Sequence, residues 1–328
     1  MGYMIALNFE DGVTWFVDCA STDTVADAAY RMGLNIPLDC RDGACGTCKL
    51  FCEAGTHDAG EYIEDALTDA EAASGYALAC QMRPRSDLVL QIAASSEVCK
   101  TKPAPFTATI AEVRHLFETT VLFTLEVNEK LAFLPGQYVN IEVPGTGQHR
   151  SYSFSSAPGA TPEFLVRNIP GGLMTGFLAT AQPGMAVTFT GPVGGFYLRP
   201  VERPVLMLAG GTGLAPFLSM LDQLTSTKHP IHLVYGVTKD ADLAGLDRLD
   251  AVAARIPGFT YTTCVADPAS PQARHGYVTQ HLDGAPAGAF DLYLCGPPPM
   301  VEAVRDHFDA AGIIPVSFRT EKFNPSGV

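Results

Sequence analysis

The segment CRDGACGTC places three cysteines, Cys40, Cys45 and Cys48, close together, and a fourth, Cys80, lies further along the chain. Such thiols can form disulfides, bind zinc, act as a redox dithiol or hold an iron–sulfur cluster. The chain has nine cysteines, and its N-terminal segment MGYMIALNFEDG lacks the features of a secretory signal. We therefore expect a cytoplasmic protein with reduced thiols, which disfavours a disulfide framework.

The spacing C-x4-C-x2-C, followed by a distant fourth cysteine, is typical of the four thiolates that hold a [2Fe–2S] cluster. Gly43 and Gly46 would let the loop turn its backbone N–H groups toward the sulfur atoms. Zinc is an alternative, although zinc sites favour C-x2-C pairs and this array has one. A thioredoxin-type dithiol would use Cys45 and Cys48 and leave the other two cysteines unexplained.

The segments CRDGACGTC and LAC resemble the ferredoxin domain of plant-type ferredoxins, which implies that Cys40, Cys45, Cys48 and Cys80 are the cluster ligands. The order of motifs along nearly the whole chain resembles the reductase components of benzoate and anthranilate dioxygenases. The segments YIEDALT and ASSEVCKTK are similar to the benzoate-type members. We expect the other N-terminal cysteines, Cys19, Cys52 and Cys99, to be buried as small apolar residues.

A second motif, HRSYSFSS, contains Arg150, Ser151, Tyr152 and Ser153. On a strand Arg150 and Tyr152 share a face, where a guanidinium can bind a pyrophosphate and a ring can lie against a flavin. An ordinary cross-strand pair is the alternative. The pattern R-x-Y-S resembles the flavin motif of the ferredoxin–NADP reductase family. That resemblance implies FAD, with Ser153 near the reducible flavin nitrogen N5.

The segment VRNIPGGLMTGFL supplies further candidates for the flavin site. Gly172 lies in a turn, and Met174 and Thr175 begin a predicted helix whose free N–H groups suit a pyrophosphate, although an ordinary capped helix is the alternative. Related proteins often have serine where Thr175 stands. The resemblance adds Val166 and Arg167 to the FAD-binding residues.

A glycine loop, AGGTGLAP, follows a predicted buried strand and opens a helix, as a dinucleotide-binding loop does. Its sequence departs from G-x-G-x-x-G, because Pro216 stands where the last glycine would be. The loop resembles the nicotinamide loop of the ferredoxin reductase family instead. That resemblance implies that the following residues bind NAD: Gly210, Gly211, Thr212 and Gly213.

The segment LCGPPPM places Cys295, Gly296 and Pro297 at the end of a predicted parallel strand, where open sheets bind ligands. The resemblance implies that Cys295 lines the hydride-transfer site, and a buried strand thiol is the alternative. In the C-terminal TEKFNPSGV, the resemblance implies that the acidic residue Glu321 is catalytic, as are Ser153 and Cys295. It makes Phe323 the aromatic residue that covers the flavin.

The choice of nicotinamide depends on the segment GVTKDADL, which offers Asp240 and Asp242. A carboxylate here would bind a ribose hydroxyl or repel the 2′-phosphate of NADPH. The nearest cation is Lys239. We expect NADH, although these aspartates would also suit a solvated helix start.

The elements that carry these motifs fall into three regions. Residues 1–98 are expected to form a β-grasp [2Fe–2S] ferredoxin domain, with a hairpin at Asp11-Gly12 and a helix in TVADAAYRMG. The residues expected on the inner face of this helix are Val25, Ala28, Ala29 and Met32. Residues 99–104 form a linker. Short strands at regular intervals in 105–200 predict an antiparallel β-barrel for FAD. Strand–helix alternation in 201–328 predicts an α/β doubly wound parallel sheet for NAD. The helix after the glycine loop is expected to bury an inner face of Phe217, Leu218, Leu221 and Leu224.

Composition narrows the function further. The net charge is −14 without a Lys/Arg-rich run, which argues against nucleic acid, and no apolar run is long enough to span a membrane. By resemblance the chain is an NADH-dependent reductase that passes electrons through FAD and the cluster to a Rieske-type terminal oxygenase. The alternatives are the reductase of a di-iron monooxygenase and, without enzymatic activity, a passive ferredoxin or redox sensor.

Overall fold

The computed structural model describes residues 2–282 and 284–323 of the chain. The end of the C-terminal segment TEKFNPSGV, from Asn324 onward, lies outside the described residues. The chain divides into two compact units. The first contains the residues up to Ala104 together with Val193–Gly195, and the second contains Pro105–Pro192 and the chain from Phe196. No helix among the described residues is long and apolar enough to cross a membrane.

The first unit is built on a five-stranded sheet in the order β2-β1-β7-β3-β5. The strands β1 and β2 are antiparallel, and β1 and β7 are parallel. The elements in chain order are β1 (Gly2–Phe9), β2 (Thr14–Ala20), α1 (Val25–Arg31), β3 (Lys49–Ala54), β4 (His57–Asp58), α2 (Asp69–Ala73), β5 (Tyr76–Leu78), β6 (Arg83–Pro84), β7 (Leu88–Ile92) and α3 (Ser96–Cys99).

The predicted hairpin and the predicted helix in this unit are both confirmed. The side chain of Thr24 caps α1 by accepting a hydrogen bond from the N–H of Asp27 at 3.2 Å, which fixes where the helix begins. The expected inner face of the helix was wrong at one position. Met32 follows the end of α1 and is 54% exposed, because the helix ends one residue too early to bury it.

The connection that follows lies within the expected linker of residues 99–104. Cys99 ends α3 and is fully buried, and β8 already begins at Ala104. The carboxylate of Asp11 accepts hydrogen bonds from the N–H and hydroxyl of Ser96, each at 2.8 Å, which ties α3 to the first hairpin. Cys19 is also buried as predicted, whereas Cys52 is half-buried.

The antiparallel region of the second unit has a six-stranded sheet in the order β11-β10-β13-β8-β9-β12. An isolated bridge joins Phe154, which directly follows β11, to Phe164 on β12, so the two outermost strands of the sheet meet there. The six predicted strands are confirmed. The elements are β8 (Ala104–Phe117), β9 (Thr120–Val127), β10 (Tyr138–Val143), β11 (Gln148–Ser153), β12 (Glu163–Arg167), α4 (Leu173–Leu178) and β13 (Ala186–Val193).

The remaining chain forms a parallel five-stranded sheet in the order β16-β15-β14-β17-β18. The strands are β14 (Val205–Gly210), β15 (Ile231–Val237), β16 (Phe259–Val265), β17 (Asp291–Gly296) and β18 (Ser317–Lys322). The helices are α5 (Ala215–Gln223), α6 (Leu246–Arg255) and α7 (Pro298–Ala311). Central strands such as β14 and β17 are buried along their length, which matches their uninterrupted apolar sequence.

The helix α5 joins the two sheets of the second unit. Its residues Phe217, Leu218 and Leu221 are buried as predicted, whereas Leu224 follows the helix and is half-buried. At its first residue, α5 packs in an apolar cluster with side chains from β9 and β12: Leu122, Leu165, Ala215 and Ala244 form this cluster. The helix that begins after the glycine loop is therefore fixed against the antiparallel sheet.

Candidate functional site

The four predicted cluster cysteines lie at one end of the first unit's sheet. Cys48 directly precedes β3, Cys80 follows β5 by two residues, and the loop before β3 carries Cys40 and Cys45. Cys48 and Cys80 are 2% and 6% exposed, so apolar core surrounds the inner side of this loop. The sheet thus brings together cysteines that are far apart in the sequence.

The thiols form two hydrogen-bonded pairs. A hydrogen bond from Cys45 lowers the pKa of the Cys40 thiol to about 6, and a hydrogen bond from Cys48 lowers the pKa of the Cys80 thiol. The donor thiols Cys45 and Cys48 have raised pKa values for the same reason, with burial adding to the effect. Hydrogen bonding within each pair therefore makes one of its thiols easier to deprotonate, and a metal ligand must be a thiolate.

Backbone N–H groups point at these sulfur atoms, as the glycine-rich loop predicts. The N–H of Cys45 donates to the Cys40 sulfur at 3.3 Å. The N–H of Ala44 also lowers the pKa of Cys40, and the N–H of Gly43 lowers that of Cys80. Amides aimed at ligand sulfurs stabilise the negative charge of an iron–sulfur centre.

Gly43 shows why the loop contains glycine. Its φ is +81°, and a Cβ added there would lie 2.4 Å from the carbonyl oxygen of Glu61. The N–H of Ile63 donates to the Gly43 carbonyl at 3.2 Å, so the 61–63 segment lies directly on the cysteine loop. A side chain at this position would force the two segments apart.

The pairing of the thiols distinguishes between the two metal hypotheses. A structural zinc ion needs four ligands around one point. A [2Fe–2S] cluster spreads four thiolates over two iron atoms, so two pairs fit it better.

The flavin-motif residues Arg150, Ser151, Tyr152 and Ser153 all lie on β11. Arg150 and Tyr152 are both half-buried on the same face of the strand, while Ser151 is exposed and donates to the side chain of Asn140 at 2.7 Å. Burial raises the pKa of Tyr152, and the charge of Arg150 opposes that rise. The two side chains predicted to contact the flavin and its pyrophosphate are therefore neighbours.

Ser153 has a buried hydroxyl without a hydrogen-bond partner among the described residues. Ser153 as a whole is 4% exposed. Buried polar atoms are almost always paired, and the exceptions call for an explanation. A flavin nitrogen at this position would supply the partner, so the observation fits FAD.

The second flavin segment is arranged partly as predicted. Gly172 caps α4, Met174 is buried, and the hydroxyl of Thr175 donates to the carbonyl of Ile169 at 2.7 Å. The Thr175 proton therefore holds the preceding turn, and no side chain of the N-cap residue Gly172 caps the first N–H groups of α4. Val166 is buried and Arg167 is exposed at the end of β12.

The glycine loop meets the end of β17. Residues Gly211–Leu214 form a short 3₁₀ turn between β14 and α5. A Cβ on Gly213 would lie 2.4 Å from the carbonyl oxygen of Cys295, which explains why glycine is needed there. Pro297 follows β17 and is exposed. The structure thus brings together the two nicotinamide motifs that the sequence separates.

Met300 belongs to this site, although the sequence analysis did not single it out. Its sulfur would lie 2.5 Å from a Cβ on Gly210 and 2.7 Å from one on Gly296. The sulfur therefore covers both strand ends. Its place four residues after Gly296, in the first turn of α7, is the signal that could have identified it.

Strand β18, which the sequence analysis did not predict, positions the C-terminal residues. Cys295 pairs with Glu321 across the parallel strands, and the N–H of Phe323 donates to the Gly296 carbonyl at 3.1 Å. Cys295 is fully buried, and burial followed by the charge of Glu321 raises the pKa of its thiol. The thiol therefore stays protonated at neutral pH.

Asp240 and Asp242 lie in a short turn after β15 and have different partners. Asp240 accepts a hydrogen bond from the hydroxyl of Ser270 at 2.5 Å. Asp242 accepts one from the hydroxyl of Thr119 and one from the N–H of Lys239. Asp242 therefore stabilises the turn and the contact between the two sheets, and Asp240 is the better candidate for a ribose ligand.

A cavity of about 700 Å³ lies at the far end of α5 from the glycine loop. Phe133, Leu198 and Leu224 contribute to its apolar lining, and Arg199 and Lys228 contribute cations. None of the predicted site residues lines this cavity. It is therefore separate from the nicotinamide motifs.

Comparison with known families identifies three domains along the chain. Residues 8–85 match the 2Fe-2S iron-sulfur cluster binding domain. Residues 107–197 match the oxidoreductase FAD-binding domain, and residues 207–306 match the oxidoreductase NAD-binding domain. The fold and the sites therefore define a class, the iron–sulfur flavoprotein oxidoreductases that use a nicotinamide.

Individual relatives match over the whole length. The chain is 53% identical to the toluate 1,2-dioxygenase electron transfer component of Pseudomonas putida, covering 99% of this chain and 100% of the relative. It is 50% identical to the 2-halobenzoate 1,2-dioxygenase electron transfer component of Burkholderia cepacia, covering 99% of each. A crystal structure of an Amycolatopsis cytochrome P450 reductase is 35% identical, with a TM-score of 0.74 over 98% of this chain and 100% of that one.

The chain belongs to the family of electron transfer components of aromatic-ring-hydroxylating dioxygenases. This confirms the reading as an oxidoreductase with FAD, NAD and a [2Fe–2S] cluster. The FAD- and NAD-binding domains argue against a passive ferredoxin or redox sensor.

Proposed function

We propose that the chain is an NADH-dependent reductase that delivers electrons to the Rieske-type terminal oxygenase of a dioxygenase for substituted benzoates. The two relatives named for toluate and 2-halobenzoate support this substrate class. The benzoate-type likeness of the segments YIEDALT and ASSEVCKTK agrees with it. We also place the chain in the cytoplasm, because none of the nine cysteines, all among the described residues, forms a disulfide and NADH is available there.

The paired arrangement of the four cysteines carries this proposal. A flavoprotein without a cluster passes its electrons directly to an acceptor. An iron–sulfur centre that takes electrons from the flavin makes the chain a donor of single electrons. We assign Cys40 and Cys45 to one iron and Cys48 and Cys80 to the other. The hydrogen-bonded pairs support this assignment.

We interpret the fold as a β-grasp ferredoxin domain over residues 1–98, a linker at 99–104, an antiparallel β-barrel for FAD over 105–200 and a doubly wound NAD domain over 201–328. The parallel order β16-β15-β14-β17-β18 supports the last assignment. The chain adds β15 and β16 on one side of β14, and β17 and β18 on the other, as in a doubly wound sheet. The bridge from Phe154 to Phe164 supports a closed barrel.

When bound, NADH supplies a hydride, FAD divides the electron pair and the cluster passes single electrons. We assign to Tyr152 the packing against the flavin ring, and to Ser153 a hydrogen bond to the flavin nitrogen N5. Cys295 would present a neutral thiol beside the nicotinamide. Phe323, held by Gly296, would cover the flavin and exclude water before NADH arrives.

The proposed preference for NADH rests on Asp240. Replacing this residue by serine would remove a carboxylate that repels the 2′-phosphate, so kcat/KM for NADPH should rise about tenfold. Steady-state kinetics with both nucleotides would measure this. The matched control is Asp247→Ser, since Asp247 is an exposed carboxylate at the start of α6. An equal gain in the control would assign the effect to net charge instead.

Reconstitution with a terminal oxygenase tests whether such an oxygenase is the electron acceptor. The purified chain is mixed with NADH, oxygen and the terminal oxygenase of a toluate dioxygenase, and dihydroxylated product is measured. The proposal predicts product that depends on all three components. Rapid reduction of ferricyanide without any product in the presence of the oxygenase would contradict the proposed partner.

A further inference from the structure

The segment that follows the flavin motif is held by side chains of the parallel-sheet region. The carbonyl of Ser155 accepts a hydrogen bond from Arg248 at 2.5 Å, and the carbonyl of Ser156 accepts one from the hydroxyl of Ser219 at 2.6 Å. Ser155 and Ser219 are fully buried. Two consecutive carbonyls, two and three residues after Ser153, are therefore fixed from the opposite sheet.

Arg248 makes further contacts that hold it in place. Its guanidinium donates to Glu163 at the start of β12 at 2.7 Å and to Asp222 on α5 at 2.5 Å. Arg248 and Glu163 are 25% and 18% exposed at their side chains, so water screens this pair only partly. The planar fork of an arginine suits several acceptors at once, which a lysine does not. We call Arg248, Glu163 and Asp222 the Arg248 bridge.

Glu163 extends the bridge into the flavin-binding sheet. It accepts a hydrogen bond from the hydroxyl of Ser155 at 2.8 Å, and its N–H donates to the hydroxyl of Ser156 at 3.1 Å. The opposite end of the bridge lies on α5, which begins directly after the glycine loop Gly211–Leu214. The bridge therefore connects the strand end that carries Ser153 to the helix that continues from the nicotinamide loop.

We propose that the Arg248 bridge is a positioning element, which sets the distance between the flavin strand and the nicotinamide loop and so controls hydride transfer. This inference rests on the proposed function. Arg248 acts through Ser155 and Glu163 and contacts neither predicted cofactor site itself. Hydride transfer needs its two reacting atoms within a narrow range of distances, and a misplacement of about 1 Å can cost a hundredfold in rate.

The test compares two arginines on the same helix. Arg248→Met removes the bridge, and Arg255→Met is the matched control, because Arg255 donates to the carbonyls of Leu221 and Leu224 within the parallel-sheet region. Anaerobic stopped-flow mixing with NADH measures the limiting rate of flavin reduction and its dependence on NADH concentration. Hydrogen exchange over residues 154–163 reports on the anchored segment without NADH.

We expect Arg248→Met to lower the limiting rate by about tenfold to a hundredfold, with FAD content unchanged and the half-saturating NADH concentration within about twofold of wild type. Exchange over residues 154–163 should become about tenfold faster. Arg248→Lys should fall between Met and wild type, because it keeps the charge and loses the fork. Arg255→Met should leave the limiting rate and this exchange unchanged.

The inference is overturned if Arg248→Met keeps the wild-type limiting rate, or if its loss of rate follows a loss of FAD. If Arg248→Met does not fold, Ser219→Ala is the variant that tests the inference. It removes the hydrogen bond to the Ser156 carbonyl and should slow flavin reduction severalfold. If NADH does not reduce even the wild-type flavin, the proposed function fails. Hydrogen exchange then still shows whether the bridge holds the segment.

Discussion

Ser153 is the residue at which the structure and the proposed chemistry agree most closely. Its buried hydroxyl has no partner among the described residues, so Ser153→Ala removes no hydrogen bond from the protein itself. We expect an unchanged melting temperature and FAD content, and flavin reduction by NADH that is about tenfold slower, as for the loss of one hydrogen bond at the reacting nitrogen.

Stopped-flow absorbance and thermal melting measure the two effects. Thr188→Ala is a suitable control, because Thr188 carries an exposed hydroxyl on strand β13 of the same sheet and donates to Glu142. A Ser153→Ala enzyme that melts at a much lower temperature, yet reduces its flavin at the wild-type rate, would show that the hydroxyl is structural.

Cys99 gives a prediction about pH. Burial, followed by the charges of Asp11 and Glu10, raises the pKa of this thiol from 9.0 to about 12. Between these values the unfolded chain releases the proton and the folded chain keeps it. The unfolded state then binds fewer protons, so the free energy of unfolding of the first unit falls as pH rises above about 9.

The slope is about 1.4 kcal/mol per pH unit for a fully buried thiol. Denaturant unfolding of wild type and Cys99→Ala at several pH values between 8 and 11 measures it. Cys99→Ala should show a shallower loss of stability with pH, whatever its stability at pH 8. Equal slopes in the two proteins would assign the alkaline loss to other groups.

At the scale of elements, sequence patterns predicted which strands and helices form better than they predicted the residues at which these elements begin and end. Buried strands such as β14 and β17 carry uninterrupted apolar residues, and the strands of the antiparallel region are punctuated by Gly and Pro. Met32 and Leu224 were misplaced because helix ends depend on caps and tertiary contacts that periodicity does not encode.

Strand β18 shows what the sequence could not reveal. Its residues SFRTEK are half-buried throughout and have no strong apolar pattern, and pairing with β17 forms the strand. That pairing places Glu321 beside Cys295. The cysteine loop was the opposite case, because metal ligands have a fixed spacing in sequence. The anchoring of Ser155 by Arg248 joins residues 93 positions apart and leaves no local pattern.

The cysteine loop provides a prediction at this scale. Gly43→Ala should abolish cluster incorporation, because the added Cβ would lie 2.4 Å from the Glu61 carbonyl at a position with φ of +81°. Iron and sulfide content and visible absorption measure the result. Gly33→Ala is a matched control, since φ there is +83° and nothing lies within 4 Å of its Cβ. Equal loss in both would indicate backbone strain rather than close packing.

At the scale of the whole molecule, the division into two compact units predicts that reduction of the flavin by NADH can proceed without electron transfer through the cluster. Cys80→Ser removes one proposed ligand from the first unit and leaves the second unit unchanged. We expect NADH-dependent ferricyanide reduction to stay within about twofold of wild type, while electron transfer to the oxygenase falls at least about a hundredfold. Ferricyanide reduction that failed together with oxygenase reduction would contradict this independence.

The most direct test of the account is an anaerobic titration of the purified protein with NADH, followed by visible absorption and low-temperature electron paramagnetic resonance. We expect complete reduction at about 1.5 equivalents of NADH, because FAD takes two electrons and the cluster takes one, together with the signal of a reduced [2Fe–2S] centre. Flavin reduction that ended at about one equivalent without that signal, or a protein that contained zinc, would contradict it.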